Sequence, residues 1–139
     1  FGPFTTRYHW NQYDNDINDQ FVESHSDTYG VVPDLFTSGA FTAASAIIQA
    51  MEEEGEVSAD AVVEGMSGLT VTDTPKGENG YVFQDYNNQA RSQMTVAPVT
   101  VTPDSQENWP ASIMPGEPVE TVSADDVTIP ADDMSCDLT

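Results

Sequence analysis

The sequence has 139 residues, which is long enough for one domain with a hydrophobic core. Its 24 acidic residues against three basic ones give a formal net charge of −21 at pH 7. This charge disfavours nucleic acid and anionic membrane surfaces as partners, because both repel a polyanion. The sequence contains no apolar run of eighteen residues and therefore predicts no membrane-spanning helix.

The acidic residues are spread along the sequence rather than collected in one tail. At low salt their repulsion opposes folding, whereas molar salt shortens the Debye length to about 3 Å and screens it. An acidic disordered segment is the alternative, but two tryptophans and six phenylalanines argue against it. The composition is typical of a folded halophilic domain, and we expect the isolated segment to be unstable or oligomeric below about 1 M salt.

The two ends of the sequence predict a fragment of a longer protein. The chain starts at Phe1 without an initiator methionine or a signal peptide. Its single cysteine, Cys136, has no partner within the chain, so no internal disulfide bond is expected.

In chain order, residues 4–10 come first and are aromatic and β-branched, which predicts a strand or an extended hinge segment. Residues 17–29 follow with a helical apolar pattern. Asn15 or Asp16 is the predicted N-cap of this helix, and Gly30 is expected to end it.

The longest helical pattern covers residues 35–55, with Ser38 as the predicted N-cap and Gly55 as the residue that ends the helix. Small residues at positions 39, 40, 43 and 44 predict a close approach to a sheet. Apolar residues recur every three or four positions and predict one buried stripe. The stripe consists of Phe36, Ala40, Ala43, Ala44, Ile47, Ile48 and Met51.

The second half of the sequence predicts a short helix and two strands. Residues 59–66 form the predicted helix, capped by Ser58. Residues 81–83 and 94–101 read as strands joined by a polar loop. Pro98 interrupts the second strand, which predicts an edge or a crossing strand rather than a central one.

The sequence from Pro103 onward is rich in proline, acidic residues, serine and threonine. No helical period survives there, so we predict an extended tail that drapes over the domain. Trp109 and Ile113 are its expected contact points.

No motif in the sequence supports enzyme chemistry. Asp14, Asp16 and Asn18 begin like a calcium loop, but Asp19 and His25 occupy positions that require glycine and glutamate, so a solvated helix cap is favoured. Zinc-ligand spacing, a nucleophile elbow and a phosphate-binding loop are all absent from the sequence. We therefore predict a protein that is not an enzyme and that uses no metal or cofactor.

The order of several weak motifs carries more information than any one of them. In this order the chain resembles the C-terminal part of the type I periplasmic binding proteins, the Leu/Ile/Val-binding branch of ABC-transporter substrate-binding proteins, and looks closest to halophilic archaeal members. The motifs are N-D-x-N-D-x-F-V…Y-G from residue 15, V-V-P-D, L-F-T-S-G-A-F, M-S-G-L-T, T-P-K-G-E-N-G-Y-V-F, Q-D-Y-N-N-Q and M-T-V-A-P-V.

The resemblance implies an α/β fold, the C-terminal part of a bilobal Venus-flytrap receptor with a Pro-rich acidic tail. Residues 1–101 would supply part of the ligand-binding lobes and the hinge, and residues 102–139 the tail. Phe36, Thr37 and Ser38 correspond to a position where the family lines the ligand cleft. The next candidates are Tyr8 and Trp10, beside the hinge; core packing is the alternative for both and for Phe36.

The implied function is that of an extracellular solute receptor of an ABC importer. Its expected partners are a small polar ligand, such as a branched-chain or related amino acid, and a membrane permease. The resemblance also implies a location at the extracellular face of the cell membrane, with a lipid anchor on a missing N-terminal segment. The alternatives are a ligand-sensing domain of the same fold and a structural surface domain of a halophile that binds no ligand.

Overall fold

The computed structural model describes residues 2–78 and 80–135 of the chain. Within these residues there are three α-helices and seven strands, and the strands form two antiparallel sheets. The helices are α1 (Asp16–Tyr29), α2 (Leu35–Glu54) and α3 (Ala59–Gly65). The strands are β1 (Pro3–Thr6), β2 (Thr70–Val71), β3 (Tyr81–Phe83), β4 (Ala90–Arg91), β5 (Met94–Val101), β6 (Ile113–Pro115) and β7 (Glu120–Val122).

The caps of α1 and α3 agree with the sequence prediction. The Asn15 side chain accepts the Asn18 N–H at 2.9 Å, and the Ser58 hydroxyl accepts the Ala61 N–H at 3.1 Å. Each bond satisfies an amide that the first turn of a helix leaves unpaired. Gly30 ends α1 in the left-handed conformation, with a φ of 73°.

The start of α2 corrects the prediction that Ser38 caps this helix. Asp34 is the N-cap, and its carboxylate accepts both the N–H and the hydroxyl of Thr37 at 2.8 Å. Ser38 lies inside the first turn and is fully buried. The helix begins earlier because Asp34, directly after Pro33, is extended and its carboxylate satisfies the first-turn amide.

The buried face of α2 also differs from the predicted stripe. Ser38, Thr42, Ala46 and Ala50 face the interior, whereas Phe36 is 80% exposed. Ala40, Ala43, Ala44, Ile47 and Ile48 are exposed as well. Small residues occupy the buried face because α3 and β2 pack very close to the helix axis.

The close contact of α2 is with α3 and β2 rather than through Gly39. A Cβ on Gly65 would lie 2.7 Å from the Ala50 carbonyl oxygen, whereas a Cβ on Gly39 would meet no atom within 4 Å. Ala46 and Ala50 form a small core with Leu69 and Val71. This core sits between the second half of α2 and the β2–β3 hairpin.

The strand β5 has the predicted bounds but is central in its sheet, whereas the sequence predicts an edge or a crossing strand. It pairs with β1 on one side and with both β6 and β7 on the other. Pro98 falls in the gap between β6 and β7, where its carbonyl accepts the Gly116 N–H at 2.8 Å. Proline is tolerated there because neither partner strand needs a donor at that position.

Residues after 102 contribute β6 and β7 to the β5 sheet. The Trp109 indole donates to the Ile113 carbonyl at 2.9 Å, and its ring lies 4.8 Å from the His9 ring. The division of the chain at residues 101 and 102 stays a prediction, and Cys136 lies outside the described residues. Among the helices that the structure describes, none has the length and apolar character needed to cross a membrane.

Candidate functional site

The segment between β1 and α1 is organised by a buried asparagine. The Asn18 amide donates to the carbonyls of Trp10 and Tyr13, each at 2.9 Å, and its oxygen accepts the Tyr8 hydroxyl at 2.9 Å. Asn18 is 2% exposed. The helix therefore anchors both the Trp10 turn and the Tyr8 side chain, so the calcium-like pattern around Asn18 is used for internal hydrogen bonds.

Aromatic rings form a layer beneath this segment. The rings of Tyr8 and Tyr13 stack with centroids 5.8 Å apart, and the Tyr8 ring lies 6.4 Å from Phe21. The Phe21 ring in turn lies 5.2 Å from Phe41 of α2. Burial raises the pKa of Tyr8 and of Tyr13, so both phenols stay neutral at physiological pH.

Lys76 lies next to this layer of aromatic rings. Its ammonium donates to the Ser92 hydroxyl at 2.7 Å and to the Gln93 carbonyl at 2.8 Å. It also stands 4.9 Å from the centre of the Tyr81 ring and 5.9 Å from that of Tyr13, within cation–π range.

Two open concavities flank α1. The first has a volume of about 640 Å³ and lies at the N-terminal end of α1, where Trp10, Asp19 and Glu117 contribute to its wall. The second has about 620 Å³ and lies between α1 and α2, with Phe21, Thr37 and Phe41 in its wall. Each is large enough for a small solute, but each opens outward and is not covered by the described part of this chain.

The structure does not gather the predicted ligand residues around one cavity. Trp10 lies in the wall of the first concavity and Thr37 in that of the second. Phe36 projects into solvent, whereas Tyr8 and Ser38 are 3% and 0% exposed. The Ser38 hydroxyl oxygen is buried and has no hydrogen-bond partner among the described residues.

Sequence reasoning missed three residues that hold this region together: Tyr13, Asn18 and Lys76. A signal for Lys76 existed, because it is the single lysine in a chain with 24 acidic residues. Tyr13 and Asn18 had no comparable signal, since a polar residue at the start of a helix is usually a cap. Among the described residues, no group of three His, Cys, Asp or Glu side chains is placed to hold a metal ion.

The comparison with protein families decides the assignment. A family model described as periplasmic binding protein matches residues 2–106. The chain belongs to the periplasmic binding protein family. The resemblance to the type I branch and the α/β fold class are therefore confirmed, and this is a family of binding proteins rather than of enzymes.

Solved periplasmic binding proteins share the fold of this chain. An ABC-type branched-chain amino acid transporter protein from Rhodopseudomonas palustris is 28% identical, with a TM-score of 0.78 over 96% of this chain and 33% of the other. A leucine-, isoleucine-, valine-, threonine- and alanine-binding protein from Brucella ovis is 18% identical, with a TM-score of 0.68 over 93% and 33%.

A third structure extends the range of ligands seen on this fold. A solute-binding protein from Rhodopseudomonas palustris in complex with 3,4-dihydroxybenzoic acid is 14% identical, with a TM-score of 0.69 over 88% of this chain and 31% of the other. No curated protein sequence matches the chain. The chain spans about a third of the length of the binding proteins that it resembles.

Proposed function

We propose that this chain forms part of an extracellular solute receptor that serves an ABC importer. The proposed ligand is a branched-chain or related amino acid, held between two lobes and delivered to a membrane permease. The observation that carries this proposal is the 28% identity over 96% of the chain to an ABC-type branched-chain amino acid transporter protein. The proposed location is the outer face of the cell membrane, with a lipid anchor on a segment outside these 139 residues.

The arrangement of β1 and β5 supports a hinge mechanism. The two strands lie side by side and antiparallel, with Pro3 opposite Pro98 and Thr6 opposite Thr95. Paired strands of this kind can carry the chain between two lobes and bend together. In the proposal, the ligand binds the closed arrangement more tightly than the open one and shifts the population towards closure.

The proposed ligand contacts divide into two groups by exposure. Phe36, Thr37 and Trp10 are at least partly exposed and are proposed to touch the solute. Tyr8 and Ser38 are buried, and we propose that they shape the cleft from behind. Because both concavities open away from this chain, the proposal places the opposite wall of the cleft on the other lobe.

Thermal unfolding of the full-length protein in molar KCl tests the proposal. The ligand panel is leucine, isoleucine, valine, threonine, alanine and 3,4-dihydroxybenzoate, each added at increasing concentration. A receptor shows a melting temperature that rises with the concentration of one ligand class, because binding stabilises only the folded state. A folded protein whose melting temperature responds to none of the five amino acids contradicts the proposed ligand class.

A pair of variants separates binding from general stability. Phe36→Ala removes an aromatic side chain that is 80% exposed, and Val57→Ala removes an aliphatic one that is 88% exposed. We expect Phe36→Ala to reduce the ligand-induced shift and Val57→Ala to leave it unchanged. Equal responses of the two variants would remove Phe36 from the proposed site.

A further inference from the structure

Lys76 is buried, unlike the exposed lysines that help to keep a protein soluble. It is the single lysine of the sequence, and it is 4% exposed. Among the residues that the structure describes, its ammonium contacts neutral partners: the Ser92 hydroxyl, the Gln93 carbonyl and the faces of Tyr13 and Tyr81. A buried ammonium without a carboxylate is costly, so its retention here points to a task within the fold.

The partners of Lys76 belong to separate parts of the fold that meet at the paired strands. Ser92 and Gln93 directly precede β5, and Tyr13 lies in the segment that leads from β1 into α1. The turn that carries Lys76 is itself tied to this segment, since the Asn15 amide donates to the Pro75 carbonyl at 3.1 Å. One side chain thus joins the start of β5 to the segment that leaves β1.

The surroundings of Lys76 lower its pKa on balance. Burial is the larger cause and the Arg7 guanidinium the smaller one, and together they lower the pKa of Lys76 to about 7. The facing titratable side chains, Tyr13 and Tyr81, are phenols whose pKa is raised by burial, so they supply no negative charge near neutral pH.

We propose that the contacts of Lys76 fix the position of β5 relative to β1, and that the stability of this arrangement depends on the protonation of Lys76. As the neutral amine, Lys76 donates to Ser92 and Gln93 and fills the space against Tyr81 without the cost of a buried charge. When Lys76 gains a proton, the cost of a buried charge appears and the folded arrangement that joins β5 to β1 becomes less stable. The stability of the paired strands therefore follows pH around neutrality.

The direction of the pH dependence follows from proton linkage. Between about pH 7 and the ordinary lysine value of 10.5, the unfolded chain binds the Lys76 proton and the folded chain does not. Stability therefore rises with pH in this range, and the unfolding equilibrium constant falls by up to about tenfold per pH unit. Above about pH 10 the buried tyrosines act in the opposite direction, because they lose their protons only in the unfolded chain.

NMR titration of the Lys76 side chain in the full-length protein tests the proposal directly. The Nζ–Cε signal is assigned by its loss in Lys76→Met or, where that variant does not fold, in Lys76→Arg. We expect a titration midpoint near pH 7. A midpoint near the ordinary value of 10.5 would overturn the proposal.

Two charge-removing variants provide a matched comparison at the lowest salt that keeps the protein folded. Arg7→Gln removes the guanidinium that acts on Lys76 and should move the midpoint to higher pH. Arg91→Gln removes the same charge from β4 and should leave the midpoint in place. Equal shifts of the Lys76 midpoint in both variants would show that it responds to net charge rather than to the nearby Arg7 guanidinium.

Denaturant unfolding as a function of pH gives the second readout. The wild-type protein should gain stability from pH 7 to pH 10. In Lys76→Met, the slope of the free energy of unfolding against pH should be smaller by the contribution of one titrating proton. Identical slopes in the two proteins would contradict the proposal. Ligand binding is not measured here, so the result stands apart from the proposed receptor function.

Discussion

Asn18 shows how a single side chain can replace a stretch of secondary structure. Two main-chain carbonyls and one phenol converge on its amide, each at 2.9 Å. The segment between β1 and α1 has only a short 3-10 turn, Trp10–Gln12, so these bonds supply the order that a helix or strand would otherwise give. A buried amide whose donors are both used fixes the geometry of its partners, because a misplaced partner would be left unpaired.

Replacement of Asn18 by alanine should therefore be costly. The change leaves two buried carbonyls and the Tyr8 hydroxyl without their partner, and we expect a loss of about 2–4 kcal/mol in the free energy of unfolding. Denaturant titration of the full-length protein measures it. Gln20→Ala, on the exposed side of the same helix, is the control and should change stability by less than about 0.5 kcal/mol.

At the scale of secondary-structure elements, α2 exposes a more hydrophobic face than the one that it buries. Ser38, Thr42, Ala46 and Ala50 form the face that this chain buries. The other face is wider and more hydrophobic, and it ends at Ile48, which is 57% exposed. A wide exposed apolar face on a helix of this kind is typical of a surface that a larger protein covers.

The N-terminus of α2 offers a test of which residue caps it. Asp34→Ala removes the acceptor of the Thr37 N–H and should lower the free energy of unfolding by about 1 kcal/mol. Ser38→Ala should be neutral or slightly stabilising, because the buried Ser38 hydroxyl oxygen has no partner to lose. The reverse order in equilibrium unfolding would restore Ser38 as the cap.

The contact between α2 and α3 gives a second test at this scale. Gly65→Ala places a Cβ 2.7 Å from the Ala50 carbonyl oxygen and should cost about 1–3 kcal/mol as the helices separate. The matched control is Gly39→Ala, which meets no atom within 4 Å and should stabilise the helix by up to about 1 kcal/mol. Thermal melts of the two variants should therefore shift in opposite directions.

At the scale of the whole molecule, the net charge and the exposed apolar face of α2 have different effects on the isolated chain. The net charge of −21 opposes folding of the isolated chain at low salt, whereas the exposed apolar face of α2 favours association of folded copies once salt screens the repulsion. The binding proteins that resemble this chain are about three times as long. We infer that the remainder of such a protein covers the α2 face.

A change of charge on that face should separate the two effects. In the 139-residue chain in molar KCl, Ile48→Glu should reduce self-association as measured by light scattering, because it puts a carboxylate on the apolar face. In the full-length protein the same change should lower stability by about 2 kcal/mol or more, since the carboxylate is then buried.

Val57→Glu is the control for both measurements. Val57 is 88% exposed and lies beyond the end of α2, so its replacement should alter neither association nor stability appreciably. A chain that stays monomeric in molar salt with Ile48 intact would contradict the inferred role of the face.

The sequence by itself determined the features that depend on short stretches. The cap at Ser58, the end of α2 at Gly55 and the bounds of β5 follow from residues within a few positions of each other. The order of motifs was sufficient for the family, because each motif marks one element of the same fold.

The tertiary structure decided which side of each element is buried. Periodicity showed that α2 is apolar but not which of its two faces this chain would cover, because that depends on the distance at which α3 and β2 pack. Likewise, β5 is central although Pro98 interrupts it, since the gap between β6 and β7 exists only once the sheet has formed. Asn18 and Lys76 are buried for the same reason: their partners are distant in sequence or come from irregular turns, and only folding brings them together.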